Sequence, residues 1–252
     1  MATVIQDPMS NTSWAAPKPA DEGYQIAYSV DADGNSIYTA DMTDEQKYEA
    51  ALQASISFFK AAGYTFDEAT GKFTAAPEGA EMTYEVIIPG GGTGDHPAFG
   101  ILTAAKEALA TIGITLQIND PSDSSVWNNA LEANTAEMWA GAWGATVDPD
   151  MYQVYHSDNA NGNGTNSNHY SIEDADLDEM IIAARNSADQ SYRKATYKEC
   201  LETILDWGVE IPTYQRQNAI VISTERVNVS TMTPDITTFW GWTNDIEKLE
   251  MN

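Results

Sequence analysis

The residue best placed to contact a ligand is Trp143, which follows a short apolar run at residues 138–142. An aromatic ring just past the carboxyl end of a buried strand lies where open α/β sheets bind small molecules. We therefore predict that Trp143 is a ligand contact. The alternative is that Trp139 and Trp143 are packing residues and that Asp148-Pro149 is a helix cap followed by proline.

Groups that could catalyse a reaction or hold a metal lack the spacing that such sites need. His96, His156 and His169 are far apart in the sequence and do not form a zinc-ligand motif. The single cysteine, Cys200, falls on the apolar stripe of a predicted helix, which predicts a buried thiol and excludes an internal disulfide. No Gly-x-Ser-x-Gly elbow is present. We expect no metal, no cofactor and no enzyme, although the many acidic residues leave a hydrolase with paired carboxylates open.

A glycine-rich segment at residues 90–94 lies between a predicted strand and a predicted helix, where such loops can bind phosphate. It contains no lysine, lacks the Lys-Ser/Thr ending of a P-loop and does not have the spacing of a dinucleotide fingerprint. We predict a flexible turn at the edge of a cleft.

Composition restricts the partners of the chain. Its 252 residues hold 12 Lys and Arg against 38 Asp and Glu, a formal charge of -26. Nucleic acids and anionic membranes would be repelled, so neither is expected as a main partner. No apolar run of about 18 residues is present, which predicts that this segment does not insert into a membrane. Residues 1–4 do not resemble the start of an export signal.

The elements that position Trp143 alternate between helix and strand. A capping box, Thr43 to Gln46, begins a helix that ends at Gly63. The hydrophobic pattern then predicts a strand at 83–88, a helix at 97–112, a strand at 114–118, a helix after Ser122 and a strand at 138–142. This β-α-β-α-β order predicts a mainly parallel sheet covered on both faces.

The flanking segments complete the predicted organisation. An irregular lead-in at residues 1–23 precedes a hairpin around an Asp-Gly turn at 31–35, with both strands inside residues 24–39. A polar loop at 159–168, two helices and a strand at 219–222 follow the central elements. The predicted domains are a lead-in and hairpin at 1–40, an α/β ligand-binding lobe at 41–223 and a C-terminal segment at 224–252.

Five segments, in order, resemble the C-terminal half of the extracytoplasmic solute-binding proteins of ABC importers, in the peptide-binding group called family 5. The matching segments are Phe58 to Tyr64, Leu109 to Leu116, Met138 to Pro149, Asp178 to Ile181 with Asp189, Arg193 and Tyr197, and Ile211 to Tyr214. Each motif is short, and together they cover about residues 45 to 216.

The resemblance implies one lobe of the type II periplasmic-binding-protein fold, an α/β lobe with a mainly parallel or mixed sheet flanked by helices. In that family two lobes close on a ligand and present it to an ABC permease, without catalysis. The N-terminal lobe, with its signal peptide and lipid-anchor cysteine, has no counterpart in these residues. The implied location is extracytoplasmic, periplasmic or lipid-anchored at the cell surface. Segment 224–252 would lean on the missing lobe, which predicts exposed or repacked Phe239, Trp240 and Trp242.

The resemblance also suggests contact residues. Peptide-binding members carry an aspartate three positions after the loop tryptophan, where this chain has Thr146. Asp148 is nearby but belongs to the Asp-Pro element. The predicted ligand contacts are Trp143, Thr146, Asp148, Asn168, His169 and Tyr170.

Peptides are the expected ligands, but the short Trp-Gly-Ala-x-x-Asp-Pro loop is similar to that of relatives that take metal chelates or other non-peptide solutes. The alternative from another functional class is a carbohydrate-binding or surface-interaction module that uses the 7 Trp and 12 Tyr as stacking surfaces.

Overall fold

The structure is a computed structural model that describes residues 2–217, 219–233 and 241–252. Phe239 and Trp240, predicted to be exposed or repacked, lie outside the described residues. The chain divides into two compact units, each described here by itself. The sheet unit comprises Gln25–Trp143 and Gln153–Asp178, and the terminal unit comprises Met1–Tyr24, Gly144–Tyr152 and Glu179–Asn252.

The described elements alternate as expected for an α/β chain. In chain order they are β1 (Ala2–Val4), α1 (Asp44–Ala61), β2 (Thr65–Asp67), β3 (Lys72–Ala75), β4 (Thr83–Ile87), α2 (Pro97–Thr111), β5 (Thr115–Asn119), α3 (Ser124–Glu132), β6 (Met138–Trp139), α4 (Tyr152–Tyr155), α5 (Ala175–Asn186), α6 (Gln190–Asp206) and β7 (Tyr214–Arg216). Short 3-10 helices span Ser157–Asn159, Val229–Thr231 and Trp242–Lys248. Among the described helices, none is long and apolar enough to cross a membrane.

A parallel sheet of order β5-β4-β6 forms the centre of the sheet unit. In register, Val86 of β4 lies opposite Ile118 of β5 and Met138 of β6. Helices α2 and α3 connect these strands, so the predicted β-α-β-α-β order and parallel pairing are confirmed. Strand β6 is shorter than predicted, although the Ala140 amide still donates to the Ile87 carbonyl at 3.0 Å.

Two apolar clusters hold the sheet unit together. Val86, Ile88 and Leu116 pack against α2 on one side of the sheet strands. The second cluster joins α1 to an antiparallel hairpin of β2 and β3, through Tyr64, Phe73 and their neighbours. The predicted capping box at the start of α1 is present. The sequence reasoning missed the β2-β3 hairpin, because its strands are too short to show a clear alternation.

The hairpin predicted around residues 31–35 is reduced to one bridge, between Val30 and Ser36. The Asp31 carboxylate accepts hydrogen bonds from the backbone amides of Asp33 and Asn35, at 3.0 and 2.8 Å. These local bonds close the turn without the strand pairing that a longer hairpin would need.

The terminal unit contains an antiparallel pair of β1 and β7 and the buried face of α6. Tyr197, Cys200, Leu201 and Ile204 of α6 are buried, and burial raises the pKa of the Cys200 thiol to about 12. The predicted strand at 219–222 does not form, and Val221 there is 95% exposed. The strand pairing forms earlier in the chain, where β7 lies against β1 and Tyr214 is opposite Val4.

Candidate ligand-binding site

Six rings meet around the carboxyl end of β6 and form the aromatic cluster, whose members are Trp127, Trp139, Trp143, Tyr155, His169 and Tyr170. Trp143 lies nearly parallel to His169, with ring centroids 6.2 Å apart and planes at 16°. His169 meets the edge of Trp139 at 5.9 Å, and Trp139 stacks on Tyr170 at 5.4 Å. The contacts therefore form a continuous series of rings within the sheet unit.

The aromatic cluster is buried at one end and exposed at the other. Tyr155, which stacks on Tyr170 at 5.7 Å, is only 5% exposed. Trp143 is 46% exposed. A ring anchored by packing on one face and open to solvent on the other is suited to stacking on a ligand.

Strand β6 and helix α3 set the positions of the indoles. The Trp127 indole nitrogen donates to the Ala140 carbonyl at 3.1 Å, and its ring meets Trp139 at 6.3 Å. Gly141 passes directly over these rings: a Cβ atom there would lie 2.9 Å from the Trp139 ring and 3.1 Å from that of Trp127. The close approach explains why a glycine occupies this position.

Asn168 supports the loop that carries His169 and Tyr170. Its side chain is fully buried, and its amide nitrogen donates to the carbonyls of Tyr155, His156 and Ile172 at 3.3, 3.3 and 2.9 Å. Its amide oxygen accepts from the Ile172 backbone amide at 3.3 Å. These four bonds engage the amide with the backbone, so the groups that face the cluster from this loop are the rings of His169 and Tyr170.

His169 is held as a neutral ring. Burial lowers its pKa, against the opposing effects of the Glu132 charge and of a hydrogen bond to the Leu131 backbone. Its Nδ1 atom is buried and has no hydrogen-bond partner among the described residues. At neutral pH, His169 therefore contacts Trp143 as an uncharged aromatic ring.

Thr146 and Asp148 lie in the terminal unit and are exposed. The Thr146 hydroxyl donates to the Asp148 carbonyl. The Asp148 carboxylate accepts from Arg193 Nη2 at 2.6 Å, and that guanidinium also donates to the Tyr197 hydroxyl at 3.2 Å. The bond to Asp148 raises the pKa of Arg193 further above its ordinary value, with a smaller contribution from Tyr197.

The carboxylate that accepts a backbone amide at the start of α4 is not the expected one. Asp150, not Asp148, accepts the backbone amide of Tyr152, at 3.1 Å. Asp148 therefore pairs with Arg193 in place of the capping role considered for it. Its side chain remains 58% exposed, against 15% for Arg193.

The structure thus brings Trp143, His169 and Tyr170 together in one cluster, with Asn168 supporting their loop. Sequence reasoning missed Tyr155 and the role of Trp127. The available signal for Trp127 was its place on the apolar face of a predicted helix, which indicated burial without identifying the rings that it meets.

The glycine-rich loop holds a carboxylate of the chain itself. The backbone amides of Gly92 and Gly94 each donate to the Asp120 side chain at 3.1 Å. A Cβ atom at Gly90 would lie 2.4 Å from the same carboxylate. Amides that could bind a phosphate are thus engaged by Asp120, which pins the loop predicted to be a flexible turn. In the part of the chain that the structure describes, no group of three or more His, Cys, Asp or Glu is placed to hold a metal ion.

Comparison with solved structures shows the fold. The chain is similar to the oligopeptide-binding protein AppA from Bacillus subtilis, solved with a nonapeptide, at 14% identity and a TM-score of 0.58, over 100% of this chain and 43% of that one. NikZ from Campylobacter jejuni, solved with Ni(L-His), gives 18% identity and a TM-score of 0.58 over 84% of this chain and 36% of its own. DppA from Helicobacter pylori, solved with the peptide STSA, gives 18% identity and a TM-score of 0.53 over 84% of this chain and 34% of its own.

These matches confirm the predicted α/β fold, one lobe of the type II periplasmic-binding-protein kind, and the resemblance to solute-binding proteins of ABC importers at the level of fold. The chain spans less than half the length of each of these structures. No protein-family model matches the sequence, and no curated protein matches it.

Proposed function

We propose that this chain is the ligand-binding lobe of the substrate-binding component of an ABC importer, and that its cargo is peptides. It binds by closure of two lobes, without catalysis, and we expect the second lobe to be the N-terminal lobe that the family resemblance implies. An ABC permease then accepts the solute outside the cytoplasm. The intact protein would be periplasmic or anchored to the cell surface by a lipid.

The proposal rests above all on the half-exposed ring of Trp143, held nearly parallel to His169 beyond the carboxyl end of a parallel sheet. Ligands bind at such edges in α/β folds because loops there vary while the sheet stays rigid. His169 packs in turn on Trp139, so the Trp143 ring is positioned before a ligand arrives. A preformed surface lowers the entropy cost of binding.

The proposed ring contacts follow from the same geometry. In the sheet unit, Trp143, His169 and Tyr170 supply rings, and Asn168 positions the last two. Thr146 and Asp148 are exposed in the terminal unit, and their role as polar contacts stays a prediction from the sequence. Since one lobe supplies only part of the contacts and each ~1.4 kcal/mol lost weakens binding tenfold, we expect dissociation constants in the millimolar range.

A tryptophan-fluorescence titration of the chain tests the function. Pools of di- to hexapeptides, oligosaccharides and nickel chelates are titrated in parallel, and we expect quenching by peptides. Trp143→Ala should abolish the response. Trp207→Ala is the matched control, because Trp207 is 48% exposed and lies in the other unit, at the end of α6.

Each alternative has its own outcome. Quenching by oligosaccharides alone would favour a carbohydrate-binding module, and quenching by nickel chelates alone would favour a receptor for a non-peptide solute. Turnover of glycoside or peptide substrates would contradict the binding function. An unchanged peptide affinity in Trp143→Ala would remove this residue from the site.

A further inference from the structure

The segments that build the aromatic cluster carry charge of one sign. From the start of β5 to Trp143, and again from Gln153 to Asp178, the sequence contains nine carboxylates and neither lysine nor arginine. In contrast, basic residues of the terminal unit pair with its acids, as Arg185 does with Asp150 and Lys194 with Asp21. The potential around the aromatic cluster is therefore negative.

One carboxylate acts directly on the cluster. Glu132, at the end of α3, is an exposed residue whose charge acts on the ring of His169. The backbone carbonyl of Glu132 accepts from the Asn166 side chain at 3.0 Å, which ties the end of α3 to the loop that carries His169. Cations are attracted both by such a charge and by the negative face of an indole. His169 does not oppose this attraction, because its ring is neutral at neutral pH.

Resting on the proposed function, we propose that the aromatic cluster selects positively charged solutes: short peptides whose lysine or arginine side chain lies against the face of Trp143. The negative potential attracts the ammonium or guanidinium group, and the exposed indole supplies a cation–π contact. Peptides with acidic side chains are disfavoured by the same potential. Neutral peptides still bind through stacking and backbone contacts.

The test uses three free tripeptides that differ only in the central residue: Ala-Lys-Ala, Ala-Gln-Ala and Ala-Glu-Ala. Binding to the ¹⁵N-labelled chain is followed through the indole N–H signals, with Trp143 assigned from its loss in Trp143→Phe. NMR is suited to millimolar affinities. We expect the lysine peptide to bind about three- to tenfold more tightly than the glutamine peptide at low salt, and the glutamate peptide to bind most weakly.

Measurements at high salt and substitutions of single carboxylates separate selection by charge from other effects. At 0.5 M salt the screening length is about 4 Å. The ratio of the affinity for the lysine peptide to that for the glutamine peptide should then fall towards the value that the cation–π contact alone gives. Glu132→Gln should reduce the ratio at low salt. Glu78→Gln is the matched control. Glu78 is an exposed acid in the loop between Ala76 and Ala80, and these two alanines pack against the apolar cluster of Tyr64 and Phe73.

The outcomes distinguish this inference from the proposed function. Equal affinities for the three peptides, or tightest binding of the glutamate peptide, would overturn selection for positive charge and leave peptide binding standing. If none of the three shifts the Trp143 signal while the peptide pools also fail to quench fluorescence, the proposed function itself is wrong. An equal change of the ratio in Glu132→Gln and Glu78→Gln would refute the role of the field at the cluster.

Discussion

Replacing Asn168 with alanine should destabilise the chain far more than replacing a surface asparagine. The substitution removes four hydrogen bonds, of which the one to the Ile172 carbonyl is 2.9 Å long and the other three are 3.3 Å. Taking about 1 kcal/mol for the short bond and about half that for each long one, the free energy of unfolding falls by about 2.5 kcal/mol. Little water can replace these bonds, because the side chain is fully buried.

Urea unfolding followed by circular dichroism and by tryptophan fluorescence measures this loss. With a slope of about 2.5 kcal/mol per molar, the midpoint should fall by about 1 M. Asn163→Ala is the control, since Asn163 is an exposed residue of the same polar loop, and its free energy of unfolding should change by less than about 0.5 kcal/mol. A midpoint for Asn168→Ala that matches the control would refute the structural role assigned to its amide.

Two further predictions concern a glycine and a titratable ring. Gly113→Ala should lower the free energy of unfolding by about 2 kcal/mol, because Gly113 has φ +86° and a Cβ atom would lie 2.7 Å from the Phe73 carbonyl oxygen. Gly100→Ala, in the first turn of α2 with open space around it, should raise that free energy by up to about 1 kcal/mol in the same thermal or urea unfolding assay. Equal effects of the two substitutions would contradict the argument. Burial lowers the pKa of His169 in the folded chain. As the pH falls below about 6.5, this ring therefore binds a proton more readily in the unfolded chain than in the folded chain. Stability should therefore decrease with falling pH more in the wild type than in His169→Gln, and identical pH profiles of the urea midpoint would show that His169 is not held neutral.

The central sheet was predictable because periodicity and order both point to it. Val86 and Leu116 lie in short apolar runs separated by a helix of the right length for a parallel crossover, and few topologies satisfy that order. Elements held by local polar bonds or made of very short strands were harder to predict. The turn at Asp31 closes on its own carboxylate, and β2 has only three residues, which is too few to establish a period.

The site could be predicted only in part, because loops have no period from which burial can be inferred. Asn168 and His169 are neighbours in one polar loop, and both were predicted to be ligand contacts. In the structure the first is completely buried and bonded to backbone, while the second packs against an exposed indole. What separates them is the course of the loop, where Asn161, Asn166 and Ser171 adopt positive φ angles of 50° to 55°.

Those left-handed residues turn the backbone so that the Asn168 amide faces the carbonyl of Ile172 and the two following rings face the tryptophans. Asparagine tolerates this conformation, so its abundance in the loop indicates sharp turns without telling which amide will be buried. Trp143 was easier to identify, since its position after a strand fixes its place at the sheet edge whatever the loop does. The place of a candidate contact residue in this fold is thus predictable from sequence where a strand end fixes it, and only from the structure where a turn does.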